Sequence, residues 1–176
     1  MIALARVMDG VVHYLGMVCR GVILVAMLAL LVVIGANVAA RYLFASGGLN
    51  EVGEIPEMIF PWLIAAGIIL GVQRGAHIAV DFISGALPPR GKVAMIVFVN
   101  AVVIAAYAML VGPVIEIAEI TAIEKSPLLG LPRSIGFYSL AFTIFGVIAS
   151  ALAVSLRVIA HGHEAAPEFD PEESVT

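Results

Sequence analysis

Three groups of residues in this chain have the types and spacing to do chemistry. Arg74, His77 and Asp81 fall at i, i+3 and i+7, so on a helix they share one face. Histidine can donate and aspartate can accept, so the trio could relay a proton or hold a bend through hydrogen bonds. Holding a bend is the expected role, because nothing ionisable continues the set into the apolar run beside it. Glu51, Glu54 and Glu57 recur every three residues, again on one helical face, a short way after Arg41. Carboxylates at a helix start are favoured by the positive end of its dipole. The alternative is that Glu54 or Glu57 pairs with Arg41 across a hairpin, and the sequence leaves open which acid would do so. Two neighbouring histidines near the C-terminus, His161 and His163, make only a weak metal signal.

Several chemistries lack their residues. There is no His-Glu-x-x-His or equivalent cluster for a metalloprotease. All four histidines lie at or beyond the ends of the apolar runs, so none is placed as an axial haem ligand inside them. Coupled transporters usually keep an ionisable group within the bilayer despite a cost of about 2.5–3.5 kcal/mol or more, and no run here contains one. The expectation is a protein that is no enzyme, takes no cofactor or metal, and works as an accessory to something else.

The elements that must position these groups are four apolar runs, residues 22–40, 58–72, 93–112 and 135–156, none with an Asp, Glu, Lys or Arg inside. A hydrocarbon core about 30 Å thick needs ~20 apolar helical residues. Hydrophobic content of 62% against 12% charged places the chain in the membrane class. Basic residues between the runs orient it. Arg6, Arg20, Arg74, Arg90, Lys92 and Arg157 fall on one side, and Arg41, Lys125 and Arg133 on the other. Short loops rich in Lys and Arg stay in the cytoplasm. The expected fold is therefore an all-α integral membrane protein with four transmembrane helices and both termini cytoplasmic. Residues 1–160 read as one four-helix transmembrane domain, and residues 161–176 as an acidic, disordered cytoplasmic tail. The net charge of −4 owes much to that tail, so it implies no nucleic-acid partner. The single cysteine, Cys19, excludes an intrachain disulfide.

Finer features sit on this frame. Arg6, His13 and Arg20 recur every seven residues and make an amphipathic N-terminal lead-in, either lying at the lipid interface or continuing the first span. Arg41 and Tyr42 suit the headgroup level. Gly67, Gly71 and Gly75 stand four apart, a groove for a helix of this subunit or of another protein. Asn100, alone at mid-depth, is expected to hydrogen-bond a neighbouring helix. After Pro113, Glu116, Glu119 and Glu124 with Ile120 and Ile123 read as an amphipathic extension on the outer side.

The ordered set Asn37-Val-x-x-Arg41-Tyr42-x-Phe44, Glu54, Trp62, Gly67, Arg74-x-x-His77-Ile-x-Val-Asp81, Leu87-Pro88 and Ser126-Pro-Leu with Pro132 resembles the small membrane subunit of tripartite ATP-independent periplasmic (TRAP) transporters, the DctQ-like family. The match covers residues 37 to 132. One departure is that no Trp precedes Glu54, and Gly53 stands where the family's first acid falls.

The resemblance implies a location in the bacterial inner membrane and two protein partners. A large membrane subunit would carry the substrate and sodium sites, and a periplasmic binding protein would capture the substrate, often a carboxylate. The small subunit would brace the large one and help dock the binding protein. Arg41, Glu54, Trp62, Gly67, Gly71, Gly75, Arg74, His77 and Asp81 are then its structural and interface candidates. A small homo-oligomeric channel or efflux protein is the alternative reading.

Overall fold

The four apolar runs become helices, and the helices overshoot the runs. The structure is a computed structural model that describes residues 2–43, 53–74, 88–127, 129–162 and 165. Helix α1 covers Ile2–Leu43, α2 Glu54–Gln73, α3 Pro89–Met109, α4 Val111–Ile123 and α5 Ser134–His161. Four stretches are long and apolar enough to cross a membrane: Ala5–Leu43, Glu54–Gln73, Pro89–Ile123 and Ser134–His161. The only β pairing among the described residues is an isolated antiparallel bridge between Lys125 and Pro132. The chain is all-α with four membrane-length helices, as its hydropathy requires.

The lead-in resolves as the first span continued. No proline interrupts residues 2–43, and α1 runs unbroken for 42 residues, about 63 Å at ~1.5 Å per residue. That is about twice the ~30 Å hydrocarbon core. Ala5, Val12, Cys19 and Ala26 are buried at seven-residue spacing. Arg6, His13 and Arg20, one position on in each repeat, are exposed.

Prolines set the other helix ends. Pro89 opens α3, where its missing N–H costs nothing, and the first helical bond runs from Lys92 N to Pro88 O at 3.0 Å. Pro113 breaks the third span. Its ring displaces the carbonyl four residues back, which is Met109, the last residue of α3. Helix α4 then starts at Val111, two residues earlier than the proline that marks the extension in the sequence. Gly162 ends α5 at φ +90°, with its N–H on Val158 O at 2.9 Å, a left-handed cap that favours glycine.

Burial singles out α5. In its most apolar stretch 56% of residues are buried, against 17% for α2 and 6% each for α1 and the Pro89–Ile123 stretch. Four of its hydroxyls are satisfied within the helix, as a low-dielectric setting demands. Ser139 donates to Gly136 O, Thr143 to Ser139 O, Ser150 to Gly146 O and Ser155 to Ala151 O, at 2.6–2.8 Å. Large apolar side chains on α1 and α3 face outward, among them Leu31, Val25 and Phe98. Apolar exposure on this scale calls for lipid or protein as its solvent.

The chain divides into two compact units. The first takes in residues up to Met17, Ile68–Met109 and the segment from Ile144 onward; the second takes in Val18–Gly67 and Leu110–Thr143. In the first unit, Gln73 Nε2 donates to Val12 O at 3.3 Å. A Cβ placed on Gly16 would lie 2.7 Å from Gln73 Oε1, so glycine is what lets the amide come this close. Gly146 accommodates the Ile69 side chain in the same way, since an added Cβ would collide with it. Two nitrogens of Arg157 converge on Asp9 Oδ1 in this unit.

Candidate functional site

The polar contacts of the second unit gather where α2 begins, because the outer loop and the start of α5 both return there. Glu54 and Glu57 lie in the first turn of α2, as the sequence places them. Pro56 is tolerated in that turn, and Pro61 removes the helical donor that the Glu57 carbonyl would otherwise receive. Gly136 of α5 comes up to that carbonyl: a Cβ built on it would sit 3.6 Å from Glu57 O and 3.7 Å from Pro61 Cγ. The start of α5 thus packs, at ordinary van der Waals distance, against the turn of α2 that Pro61 leaves without its helical donor.

Glu54 reaches into the loop that precedes α5. Its Oε2 accepts from the Ser126 hydroxyl and from the Leu129 amide, the latter at 3.2 Å. Ser126 is only 4% exposed, so its hydroxyl needs that acceptor. Ser126 Oγ also accepts from the Leu129 amide at 3.3 Å. The loop closes its own base through Arg133 N to Glu124 O at 3.0 Å, Ser126 N to Leu131 O at 2.8 Å and Gly130 N to Ser126 O at 3.0 Å. Gly130 turns at φ +68°, a left-handed conformation that glycine adopts without strain.

Glu57 behaves differently. Its nearest cation is Arg133 at 4.0 Å, with side chains 72% and 52% exposed. Such a pair contributes about 0–1 kcal/mol. One turn further on, Trp62 Nε1 donates to Ile135 O at 3.1 Å, and its ring lies 5.9 Å from that of Phe142. The indole thereby buries its polar atom and presents an apolar body. An open apolar cavity of about 650 Å³ lies beside it, walled by α1 at Val22, Val25 and Ala26, by Met58 and Trp62, and by loop residues such as Leu129.

The other sequence candidates are distributed along the chain. Arg41 is exposed at the end of α1, and the two acids weighed as its partners find Ser126, Leu129 and Arg133 instead. Gly67 and Gly71 have no described neighbour within 4 Å of an added Cβ, so their face of α2 is open among the described residues. Arg74 is exposed just past α2. Glu51, Gly75, His77, Asp81 and His163 lie outside the described residues. Asn100 is 3% exposed, yet no described residue shares a hydrogen bond with it, unlike the interhelical bond expected of it. No group of three metal-ligating side chains occurs among the described residues.

Two contacts escaped sequence reasoning, and the first had a signal. Asp9 is the only acid of α1, and Arg157 the only Asp, Glu, Lys or Arg of α5. The one acid of α1 and the one cation of α5 are natural partners. Ser126, singled out as part of a turn, had no partner assigned.

The DctQ component of the tripartite ATP-independent periplasmic transporters matches residues 30–161 of this chain. An uncharacterised protein of Sinorhizobium fredii, y4mM, is 41% identical over 143 residues, which is 81% of this chain and 26% of that protein. A putative TRAP transporter small permease protein of Haemophilus influenzae is 27% identical over 145 residues, 82% of this chain and 81% of its own length. The chain spans about a quarter of the first relative and most of the second. No solved structure matches. Glu54, Trp62, Ser126 and Arg133 all fall in the matched region, while Asp9 precedes it.

Proposed function

We propose a function from the premise that this chain belongs to the DctQ family, the small membrane component of TRAP transporters. It is the non-catalytic small permease subunit of a binding-protein-dependent, sodium-coupled importer of organic acids. It braces a large membrane subunit that holds the substrate and sodium sites. Its outer face, where α2 starts and residues 124–133 return, helps seat the periplasmic binding protein. The chain resides in a bacterial inner membrane with both termini cytoplasmic. Residues 73–92 are then cytoplasmic, and residues 43–56 and 114–134 periplasmic, following the basic residues between the helices.

The observation that carries this reading is where burial falls. Helix α5 is wrapped, while α1 and the Pro89–Ile123 stretch are left almost wholly outward. The described part of the glycine face on α2 is open too. Small residues that let backbones approach are what helix association in a bilayer uses. A brace needs outward faces of this kind. In the first relative, the matching stretch is one part of a much longer polypeptide, which fits a segment that works beside further protein.

The substrate class is tested by uptake. Deleting the gene from its host should abolish sodium-dependent uptake of some radiolabelled mono- or dicarboxylate in a panel, with recovery from a plasmid copy. Unchanged uptake across the panel would remove organic-acid import from the account.

A further inference from the structure

We propose that Glu54 is the positioning residue of the outer loop, acting as a hydrogen-bond acceptor rather than as a charge. Two observations set it apart from an ordinary acid at a helix start. First, a carboxylate favoured only by the dipole stays beside its own first turn. Glu54 instead receives donors 72 and 75 residues away in sequence, Ser126 and Leu129. Second, Glu57 shows what a solvated acid does one turn later on the same helix. It is exposed and meets its cation only at 4.0 Å.

The two described donors on Glu54 are neutral, a hydroxyl and a backbone amide, so what these two require is an oxygen lone pair at the right reach. The loop satisfies much of its own backbone: Glu124 O, Ser126 N, Ser126 O and Gly130 N are paired within it. The Leu129 amide is shared between Ser126 Oγ in the loop, at 3.3 Å, and the Glu54 carboxylate brought in by α2, at 3.2 Å, and the same carboxylate accepts from that Ser126 hydroxyl. The carboxylate fixes the middle of the loop, and the middle carries Leu129 and Leu131 into the wall of the apolar cavity. Glu54 thereby determines the shape of the periplasmic loop in the proposed orientation. The loop's shape follows from the hydrogen bonds alone. Only its periplasmic placement rests on the functional reading above.

The test compares backbone amide exchange of the 124–133 peptide in the wild-type chain, Glu54→Gln and Glu54→Asp, each in its native complex in lipid nanodiscs. Gln keeps an sp² oxygen at the same reach and gives up the charge. Asp keeps the charge and withdraws it by one methylene. Loosening the half-buried Leu129 amide from its acceptor raises its exchange by about tenfold. The expected order is Gln within about twofold of wild type and Asp about tenfold faster, with the α5 peptide unchanged in both. Asp as slow as wild type with Gln fast would overturn the proposal and make the charge the active feature. Both variants exchanging like wild type, or both equally fast, would overturn it as well. Failure of the functional reading shows separately, in which proteins copurify with the wild-type chain.

Discussion

Two nitrogens of Arg157, Nε at 3.1 Å and Nη2 at 2.6 Å, close on the same oxygen of Asp9 across 148 residues of sequence. The pair joins the first helix to the last within one compact unit, and each side chain is about one-third exposed. Charge-assisted bonds of this length exceed an ordinary surface pair, so a coupling of about 1 kcal/mol is expected once solvent screening is allowed for. A double-mutant cycle of Asp9→Asn and Arg157→Gln in thermal unfolding of the purified chain measures it. Additive losses would mean that the contact contributes nothing of its own.

Gly146 and Ile69 define a tight internal contact. A methyl group on residue 146 meets the Ile69 side chain at less than a normal contact distance, and overpacking of this kind costs about 1–3 kcal/mol. Gly146→Ala should lower the melting temperature of the isolated chain. In an Ile69→Ala background, itself destabilising because Ile69 is fully buried, the same substitution should cost less, because the shorter side chain clears the space. An equal cost in both backgrounds would place the strain elsewhere.

Gly71 should respond in the opposite way. No described atom lies within 4 Å of its added Cβ, so Gly71→Leu should leave the melting temperature of the isolated chain nearly unchanged. The same variant should reduce the partner recovered with it from native membranes, since a leucine blocks close helix approach. Full recovery of the partner would assign this face to lipid.

Orientation follows from basic-residue placement and is tested by labelling. In a Cys19-free background, a cysteine at Ser46 should react with an impermeant maleimide in intact cells, and one at Ser84 should react only after lysis. The reverse pattern would invert the topology.

The legible part of this fold was its local part. Apolar runs gave four spans because hydropathy and helix length act over neighbouring residues. Pro113 announced an interruption, although the break falls at Leu110, since a proline disturbs the carbonyl four residues behind it. Glu54 and Trp62 stood out as residues, but their partners did not. Ser126, Leu129 and Ile135 are reached by chain return, and a backbone carbonyl or amide has no sequence signature. The lead-in was open between an interfacial helix and a continued span. Contacts of Val12 with Gln73 and of Asp9 with Arg157 accompany the second outcome, and these too are long-range. Open faces at Gly67 and Gly71 needed coordinates, because glycine spacing alone fits internal and external packing equally.

The central claim is that this chain braces a larger membrane protein. It is tested most directly by extracting a tagged copy from its native membrane in mild detergent, then identifying and weighing what comes with it. The expected result is a stable one-to-one complex with a single, much larger polytopic membrane protein, retained through size exclusion. A species containing only copies of this chain would contradict the account and favour a small homo-oligomeric channel.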